Sequence, residues 1–296
     1  MKNLHKKAFS LIEISVVILI IGMLIAGISQ GIDLYQDSRL ATARSLTLNS
    51  RVNRIEDLTM WLEATSEKSF ENPNPQNEER IGLWKNINFK LFNRIDVTQA
   101  TQASKPFYVK NAINGNPALR FNNGQFLTAS GIKISEIVSS DQVTVFMVQN
   151  NFSGDSTTST FGWNYGNYRF QSHAQEEDKV MLDFGNTLSG LANFRITTAT
   201  LTNFLNQNKI ITFVKNGSNG KVKINSALLI NSSTSNGVMD MSLSADFSVG
   251  KYIPAVNAYC FYGYIGEFII FKRGLTDAEI RDVEQYLSKK WSIKIN

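Results

Sequence analysis

The sequence predicts an α+β protein in which a long N-terminal hydrophobic helix is followed by an all-β antiparallel jelly-roll sandwich and a short C-terminal helix. Three observations predict this fold class: an uncharged apolar run from Ile14 to Ile28, short apolar and aromatic runs between polar clusters beyond Leu58, and an amphipathic C-terminal stretch. A chain of 296 residues is long enough for two structural units. We therefore predict a leader at 1–8, a helical unit at 9–53 and a sandwich at 54–296.

The N-terminal segment begins with three lysines before a small residue, Ala8. Phe9–Ile28 supplies 20 residues, which at ~1.5 Å per residue span about 30 Å, one hydrocarbon core. An ordinary secretory signal is cut after its apolar region, whereas a cut after Ala8 would leave this helix on the mature chain. The basic leader favours an N-terminus inside the cell. Since no proline interrupts the following residues, we predict one helix from Ser10 to about Arg51.

Residues 8–13 read AFSLIE and resemble the class III leader of type IV prepilins and type II secretion pseudopilins. Ala8 stands where that family normally has glycine, and Gly22 lies where such helices often have one. The resemblance implies that a prepilin peptidase cuts between Ala8 and Phe9 and methylates the new Phe9 amine. It also implies other pilin subunits as partners of the N-terminal helix.

Glu13 is the one carboxylate in the apolar segment. A carboxylate at mid-bilayer costs ~2.5–3.5 kcal/mol on insertion scales, so it usually has a partner. Cleavage after Ala8 would create that partner, because the Phe9 amine of a neighbouring subunit is positive. Two alternatives stay open: Glu13 lies hydrated at the membrane rim, or the helix is only an anchor with a stalk.

In the region after Leu58, short apolar and aromatic runs alternate with clusters of Asn, Gly, Ser and Thr, a pattern typical of a β sandwich. Asn-Gly dipeptides such as Asn216-Gly217 are strong tight-turn signals, because both residues tolerate positive φ. We predict exposed loops at Glu71–Arg80 and Asn150–Ser159. The predicted strands are Leu58–Glu63, Ala118–Phe121, Phe126–Thr128, Gln142–Gln149, Thr160–Trp163, Tyr168–Gln171, Val180–Phe184, Lys209–Lys215, Lys221–Ile224, Ala245–Val249 and Gly263–Lys272.

A helix is predicted from about Asp277 to Lys290. Thr276 and Glu279 form a T-x-x-E capping box, which satisfies free backbone donors at a helix start. Its apolar residues recur at helical spacing, so one face should dock on the sandwich. That face holds Ile280, Val283, Leu287 and Trp291.

Several segments of the C-terminal region resemble the concanavalin A-like, laminin-G-type sandwich family. Met60–Ala64 is similar to the opening strand of that family, and Asn111–Phe121 is similar to its N-x-x-N-G-x-P-A-L-x-F segment. Gly266-Glu267, the R-x-L-T-x-x-E run from Arg273 and the closing helix that ends in Lys-Lys-Trp follow in the family's order. The resemblance implies a lectin-like or adhesion fold over about Leu58 to Ile293.

Composition excludes several functions. Removing the three leader lysines lowers the formal net charge from +5 to +2, and the chain has no Lys/Arg run typical of nucleic-acid binding, so we predict no nucleic acid among its partners.

The single cysteine, Cys260, cannot form an intrachain disulfide, and its apolar strand context indicates a buried small hydrophobe. An intermolecular bridge is the alternative.

Catalytic patterns are absent from the sequence, and we predict no enzyme and no catalytic residue. Retaining glycosidases need two carboxyls ~5–5.5 Å apart, and no strand carries an E-x-D-x-E pattern. The nearest cluster, Glu176-Glu177-Asp178, has Val180 in the place of the last acid. His173 is the only histidine outside the leader, and no G-x-S-x-G elbow or phosphate-binding loop occurs. One histidine and one cysteine do not make a zinc site, so we predict no metal.

A sugar or calcium ligand would use loop-borne oxygens and flat aromatic rings. The segment DSTTSTFGWNYGNYRF has that composition, although hairpin aromatics that pack their own turn would look the same. Calcium has no supporting motif, so no cofactor is predicted. The candidate ligand-binding residues are Asp155, Trp163, Asn164, Tyr165, Asn167 and Tyr168.

These observations together predict a structural subunit of a type IV pilus or related filament, assembled through its N-terminal helix and displaying a sandwich for adhesion. The alternatives are a type II secretion pseudopilin and a membrane-anchored lectin-like protein that does not polymerise. We predict a single pass through the bacterial inner membrane with the C-terminal domain outside the cytoplasm, followed by export to a pilus, pseudopilus or the cell surface. Surface glycans or proteins are predicted partners.

Overall fold

A computed structural model describes residues 10–122, 124–152, 158–174, 179–187, 194–202, 204–233, 235–252 and 259–296. Helix α1 covers Leu11–Asn49, and a 3-10 turn at Val52–Arg54 leads into the sandwich. Helix α2 covers Asp277–Trp291. The predicted α+β fold class, with a long N-terminal helix, an antiparallel sandwich and a short C-terminal helix, is confirmed. The boundary at 53/54 stays a prediction.

Seventeen strands are found in the described part of the chain, and adjacent strands in the two sheets pair antiparallel. One sheet, sheet A, has the order β15-β14-β13-β8-β17-β6-β5-β2, with β1 beside β17, and the other, sheet B, has the order β12-β11-β10-β9-β16-β7-β4-β3. The strands are β1 Leu58–Glu63, β2 Glu79–Arg80, β3 Leu83–Trp84, β4 Val97–Thr98, β5 Phe107–Ile113, β6 Asn116–Asn122, β7 Leu127–Lys133, β8 Gln142–Asn151, β9 Thr158–Tyr165, β10 Tyr168–Ala174, β11 Met181–Asn186, β12 Phe194–Thr197, β13 Lys209–Asn216, β14 Asn219–Ile224, β15 Ala227–Ser233, β16 Ser244–Val249 and β17 Tyr262–Phe271.

Two apolar cores hold the fold together. The larger lies between the sheets and includes Phe161, Trp163 and Phe268, all fully buried. The smaller lies on the outer face of sheet A, where the apolar face of α2 covers Trp61 and Phe146. Alternation along each strand explains this division, because successive side chains point to opposite faces of a sheet.

Every predicted strand overlaps an observed one, but the sequence reading missed others. The three longest missed strands are β5, β12 and β15, and the two-residue strands β2, β3 and β4 were also missed. The predicted loop at Glu71–Arg80 is exposed for most of its length, but its last two residues pair with Phe107 and Tyr108. The predicted loop at Asn150–Ser159 is shorter than expected, since its first and last two residues extend β8 and β9.

Helix α2 has the predicted start and the predicted docking face. Thr276 Oγ1 accepts from the Glu279 backbone N–H, and the Glu279 carboxylate accepts from the Thr276 backbone N–H at 2.9 Å. The predicted face is buried against sheet A. Arg273 adds a paired contact to the Glu279 carboxylate, at 2.6 and 2.9 Å, and holds the pKa of that carboxyl at about 2.

Candidate functional site

The N-terminal part of α1 stands free of the rest of the molecule. From Leu11 to Tyr35 every described side chain is exposed, although this stretch is the most apolar in the chain. Its most apolar 18-residue window has a mean hydropathy of 2.8, long and apolar enough to cross a membrane. An exposed apolar surface of this size indicates an interaction site, because monomeric soluble proteins rarely expose one. We call Leu11–Tyr35 the free segment.

Glu13 lies in the first turn of α1, where it closes the helix start. The Ser10 backbone N–H donates to Glu13 Oε2 at 2.8 Å, and the Ile12 N–H donates to Ser10 Oγ at 3.3 Å. A carboxylate at this position is also favoured by the positive end of the helix dipole. Glu13 Oε1 accepts no hydrogen bond within the described residues. Ala8 and Phe9 lie outside the described residues.

The second half of α1 is docked on the sandwich. Ala43 and Thr47 are buried, and Thr47 Oγ1 lies 3.2 Å from the Tyr286 hydroxyl of α2. Arg44 Nε donates to the Thr65 carbonyl at 2.9 Å, and Arg44 Nη1 donates to Glu67 Oε1 at 2.6 Å. Together these contacts fix α1 to both α2 and the end of β1.

The order of contacts shows that the two helices are antiparallel. Arg39 contacts Ser292 at 3.4 Å, whereas Arg51 contacts Asp282 at 3.0 Å. The start of α2 and Leu58 of β1 therefore lie at the end of the sandwich farthest from the free segment. We call this the distal end.

A buried ionic cluster lies beneath the docked helices, formed by Glu63, Glu267, Lys290 and Tyr286. Glu63 and Glu267 are cross-strand neighbours on β1 and β17, and Lys290 Nζ lies 2.8 Å from one and 2.9 Å from the other. The Tyr286 hydroxyl donates to Glu267 Oε1 at 2.7 Å. Burial raises the pKa of the Tyr286 phenol well above its ordinary value.

The sequence did not predict that Glu63 and Glu267 form a pair. Each glutamate stands in a segment quoted for the family resemblance, but the two are far apart in sequence and meet only through strand pairing. Both are completely buried, and the indoles of Trp61 and Trp291 donate to Glu267 at 2.7 and 2.8 Å. The pair is therefore closed to solvent and occupied by an ammonium, which is the arrangement of a structural ion cluster.

Among the predicted ligand-binding residues that the structure describes, one is buried and four are at least partly exposed. Trp163 is fully buried between the sheets, and its indole N–H donates to the Ile132 carbonyl at 3.0 Å, so this ring cannot serve as a sugar platform. Tyr165 and Asn167 are exposed at the tip of the β9–β10 hairpin. Asn164 and Tyr168 are half-buried beside them. Asp155 and the acidic run Glu176–Asp178 lie outside the described residues.

An open cavity of about 480 Å³ lies next to this hairpin. Met239 N donates to the Ser140 carbonyl at 2.7 Å, and Ser139 N donates to the Lys272 carbonyl at 3.0 Å, which places the cavity at the distal end. Sequence reasoning found only Tyr168 of its lining, because the other residues come from two distant segments. The lining consists of Tyr168, Asn186, Asn236, Gly237, Val238, Met239 and Asp240.

Within the described residues, no group of three His, Cys, Asp or Glu side chains could hold a metal ion. The prediction of no metal and no cofactor, with calcium as the open alternative, stays a prediction. Cys260 is 8% exposed, and burial raises the pKa of its thiol.

Residues 3–29 match the family model of the prokaryotic N-terminal methylation motif. This match confirms the predicted prepilin-type leader and covers Lys6 and Lys7 of the basic segment, residues 8–13 and the whole apolar run from Ile14 to Ile28. Processing at Ala8 and Phe9 stays a prediction. No curated protein matches the sequence.

Solved structures with a similar fold include domain 4 of AbnA, an extracellular GH43 arabinanase from Geobacillus stearothermophilus, in complex with arabinotriose. It is 19% identical at a TM-score of 0.51, and the match covers 77% of this chain and 98% of that domain. The binding domain of Paraclostridial Mosquitocidal Protein 1 is 13% identical at a TM-score of 0.55, covering 77% of this chain but only 52% of that one. These similarities establish the β-sandwich fold of the C-terminal region.

Proposed function

We propose that this protein is a structural subunit of a type IV pilus or related filament. The observation that carries the proposal is the free segment: an apolar helix whose described side chains are all exposed, on a chain whose later helical residues are firmly docked. The methylation motif over residues 3–29 supports a pilin-type surface protein. In a filament, free segments from many copies would bury one another, while the sandwiches cover the outside.

Before assembly, the free segment holds the subunit in the inner membrane. Leu11–Ile28 spans about 27 Å at ~1.5 Å per residue, close to the thickness of one hydrocarbon core. The lysines of the leader keep the N-terminus in the cytoplasm, so the sandwich lies outside it. A prepilin peptidase then removes residues 1–8 and methylates Phe9.

The geometry at Glu13 fits pairing between subunits. Its Oε2 atom is used by the Ser10 backbone N–H of the same chain, and Oε1 is open to a second donor. The Phe9 amine of a neighbouring copy supplies a positive donor, which removes the cost of leaving the carboxylate unpaired in the membrane. One carboxylate can thus cap its own helix and bind the next subunit at the same time.

Intact-mass spectrometry of the full chain, co-expressed with a prepilin peptidase, tests processing. The expected species lacks residues 1–8 and carries one extra methyl group. A full-length mass would contradict the proposal and would favour the anchored, non-polymerising alternative. Imaging of surface filaments in a strain that carries the native assembly genes separates a pilus from a secretion pseudopilus.

Glu13→Gln tests assembly separately from processing. We expect this variant to be cleaved but recovered in filaments at roughly a tenth of the wild-type amount or less, the effect of a coupling of about 1.4 kcal/mol or more. Glu56→Gln is the matched control, because Glu56 is an exposed carboxylate outside the helix. Equal recovery of both variants would show that Glu13 has no role in assembly.

Glycan adhesion is a second function of the same subunit, favoured by the distal cavity. Amide and carboxylate groups of Asn186, Asn236 and Asp240 surround it, beside the aromatic ring of Tyr168. Such a mixture of ring faces and oxygens is suited to sugars. The sandwich would bind without catalysis, because the buried carboxylate pair cannot reach a substrate.

A glycan array probed with the full chain in detergent tests adhesion. Asp240→Ala with Asn236→Ala should abolish any signal, whereas Tyr262→Ser, at an exposed aromatic away from the cavity, should not. A signal that both variants retain, or no signal at all, would leave the sandwich with a structural role only.

A further inference from the structure

The loop between β3 and β4 exposes two aromatic rings to solvent. Phe92 is 101% exposed and Phe89 is 67% exposed, more than any other large apolar side chain described outside the free segment except Leu48. Neither ring takes part in the cores or in a described ring contact. A neighbouring pair of exposed rings is a candidate contact site, because their transfer from water to an apolar environment is favourable.

The base of this loop is rigid. Asn88 Nδ2 donates to the Leu58 carbonyl at 2.7 Å, and Asn86 Nδ2 donates to the Thr59 carbonyl at 2.9 Å. Both asparagines are buried, and the Asn88 side chain also accepts from the Lys90 backbone N–H at 3.1 Å. The two rings are therefore presented by a fixed turn.

The loop projects at the distal end, because Asn88 is bonded to Leu58. It is also basic: Lys90 lies between the two rings in the sequence and Arg94 follows them, both are exposed, and neither forms an ion pair within the described residues. Asp96, the one acid in the segment between β3 and β4, is half-buried and accepts from the Asn86 backbone N–H at 2.8 Å. The tip thus combines two protruding aromatic rings with two basic side chains that form no ion pair within the described residues.

We propose that the Phe89–Arg94 loop binds an anionic lipid surface that faces the distal end. Aromatic rings bury at the boundary between headgroups and acyl chains, and basic side chains are attracted to anionic lipids. A convex loop fits a deformable bilayer, whereas a protein partner would need a matching pocket. The occupant is a bilayer other than the one that holds the free segment, which lies at the opposite end of the molecule. This inference does not depend on filament assembly or glycan binding.

The test uses the full chain in phosphatidylcholine nanodiscs, with Cys260→Ala to remove the single native thiol. Phe92→Cys carries an environment-sensitive NBD label, and Leu228→Cys is the matched control, because Leu228 is 53% exposed on β15. Protein-free vesicles of phosphatidylcholine, with or without phosphatidylglycerol, are then added. We expect a blue shift of the label at 92 with phosphatidylglycerol vesicles only, and none at 228.

A second variant removes the charge and keeps the rings. Lys90→Gln with Arg94→Gln should weaken vesicle binding by roughly thirtyfold, because each basic residue near an anionic surface contributes about 1 kcal/mol. The proposal is overturned if the label at 92 does not respond to phosphatidylglycerol, or if both labels respond equally. It is also overturned if the label shifts in nanodiscs alone as protein concentration rises, since that result would assign the loop to a second copy of the chain.

Discussion

Replacing Lys290 by methionine should destabilise the sandwich strongly. The Lys290 side chain is completely buried, and its Nζ bonds Glu63 at 2.8 Å, Glu267 at 2.9 Å and the Tyr286 hydroxyl at 3.0 Å. Methionine has a similar volume but leaves two neighbouring buried carboxylates without an ammonium. Breaking a buried ion pair by removing one partner costs about 3–5 kcal/mol, and we expect a loss of that size in the free energy of unfolding.

Urea unfolding of the full chain in detergent, followed by tryptophan fluorescence, measures this loss. Trp61 and Trp291 both donate to Glu267, so their emission reports on the cluster directly. Lys289→Met is the matched control, because the neighbouring lysine is exposed and should change stability by only about 0.5 kcal/mol or less.

A second substitution separates charge from packing. In the Lys290→Met chain, Glu63→Gln removes one of the two uncompensated charges and still accepts from the Thr65 backbone N–H, which lies 2.7 Å from Glu63 Oε2. We expect it to restore about 1–3 kcal/mol. The electrostatic explanation is refuted if Lys290→Met costs no more than Lys289→Met, or if Glu63→Gln destabilises the variant further.

Two other predictions concern helix docking and pH. A Cβ at Gly266 would lie 2.5 Å from Cη2 of the fully buried Trp291 ring on α2, so Gly266→Ala should cost about 1–3 kcal/mol; an unchanged urea midpoint would contradict this contact between helix and sheet. Burial lowers the pKa of Lys209 and of Lys215 to about 8, from an ordinary value of 10.5. Above pH 8 the folded chain therefore binds fewer protons than the unfolded chain. The free energy of unfolding should accordingly rise from pH 8 to about pH 9. Above pH 9.0, the ordinary pKa of a cysteine thiol, the raised pKa of the Cys260 thiol opposes this trend. Lys209→Met with Lys215→Met should flatten the rise in a series of urea midpoints measured against pH. A wild-type stability that is flat or falls from pH 8 to about pH 9 would show that the two lysines are not the controlling groups.

Local signals explain which elements the sequence predicted well. Three of these signals are local in sequence: the capping box at Thr276, the Asn-Gly turn at Asn216 and the apolar run of α1. In each of them, the residues that carry the signal are neighbours along the chain. Strand β1 was predicted with its observed bounds because its apolar run is compact. In contrast, exposed Lys110 and Asn111 interrupt β5, and two-residue strands such as β2 carry too little pattern to detect.

The missed parts of the site depend on contacts between distant segments. Glu63 and Glu267 become partners only through the register of β1 and β17. Trp163 was a candidate ligand-binding residue from composition, yet the alternation of Phe161 and Trp163 against Asn164 places both rings in the core. The cavity at Tyr168 could not be foreseen, because its other walls come from the segments around Asn186 and Asn236.

The antiparallel docking of α1 and α2 has a mechanical consequence. In the proposed filament, tension would pull each subunit along α1 and load the sandwich parallel to the helix axis. The contacts at Arg39, Thr47 and Arg51 lie at successive heights along that axis and are loaded together in shear. Because a shear load acts on all of these contacts at once, they do not break one after another. The docked interface between α1 and the sandwich therefore resists a pull at the distal end better than a single contact would.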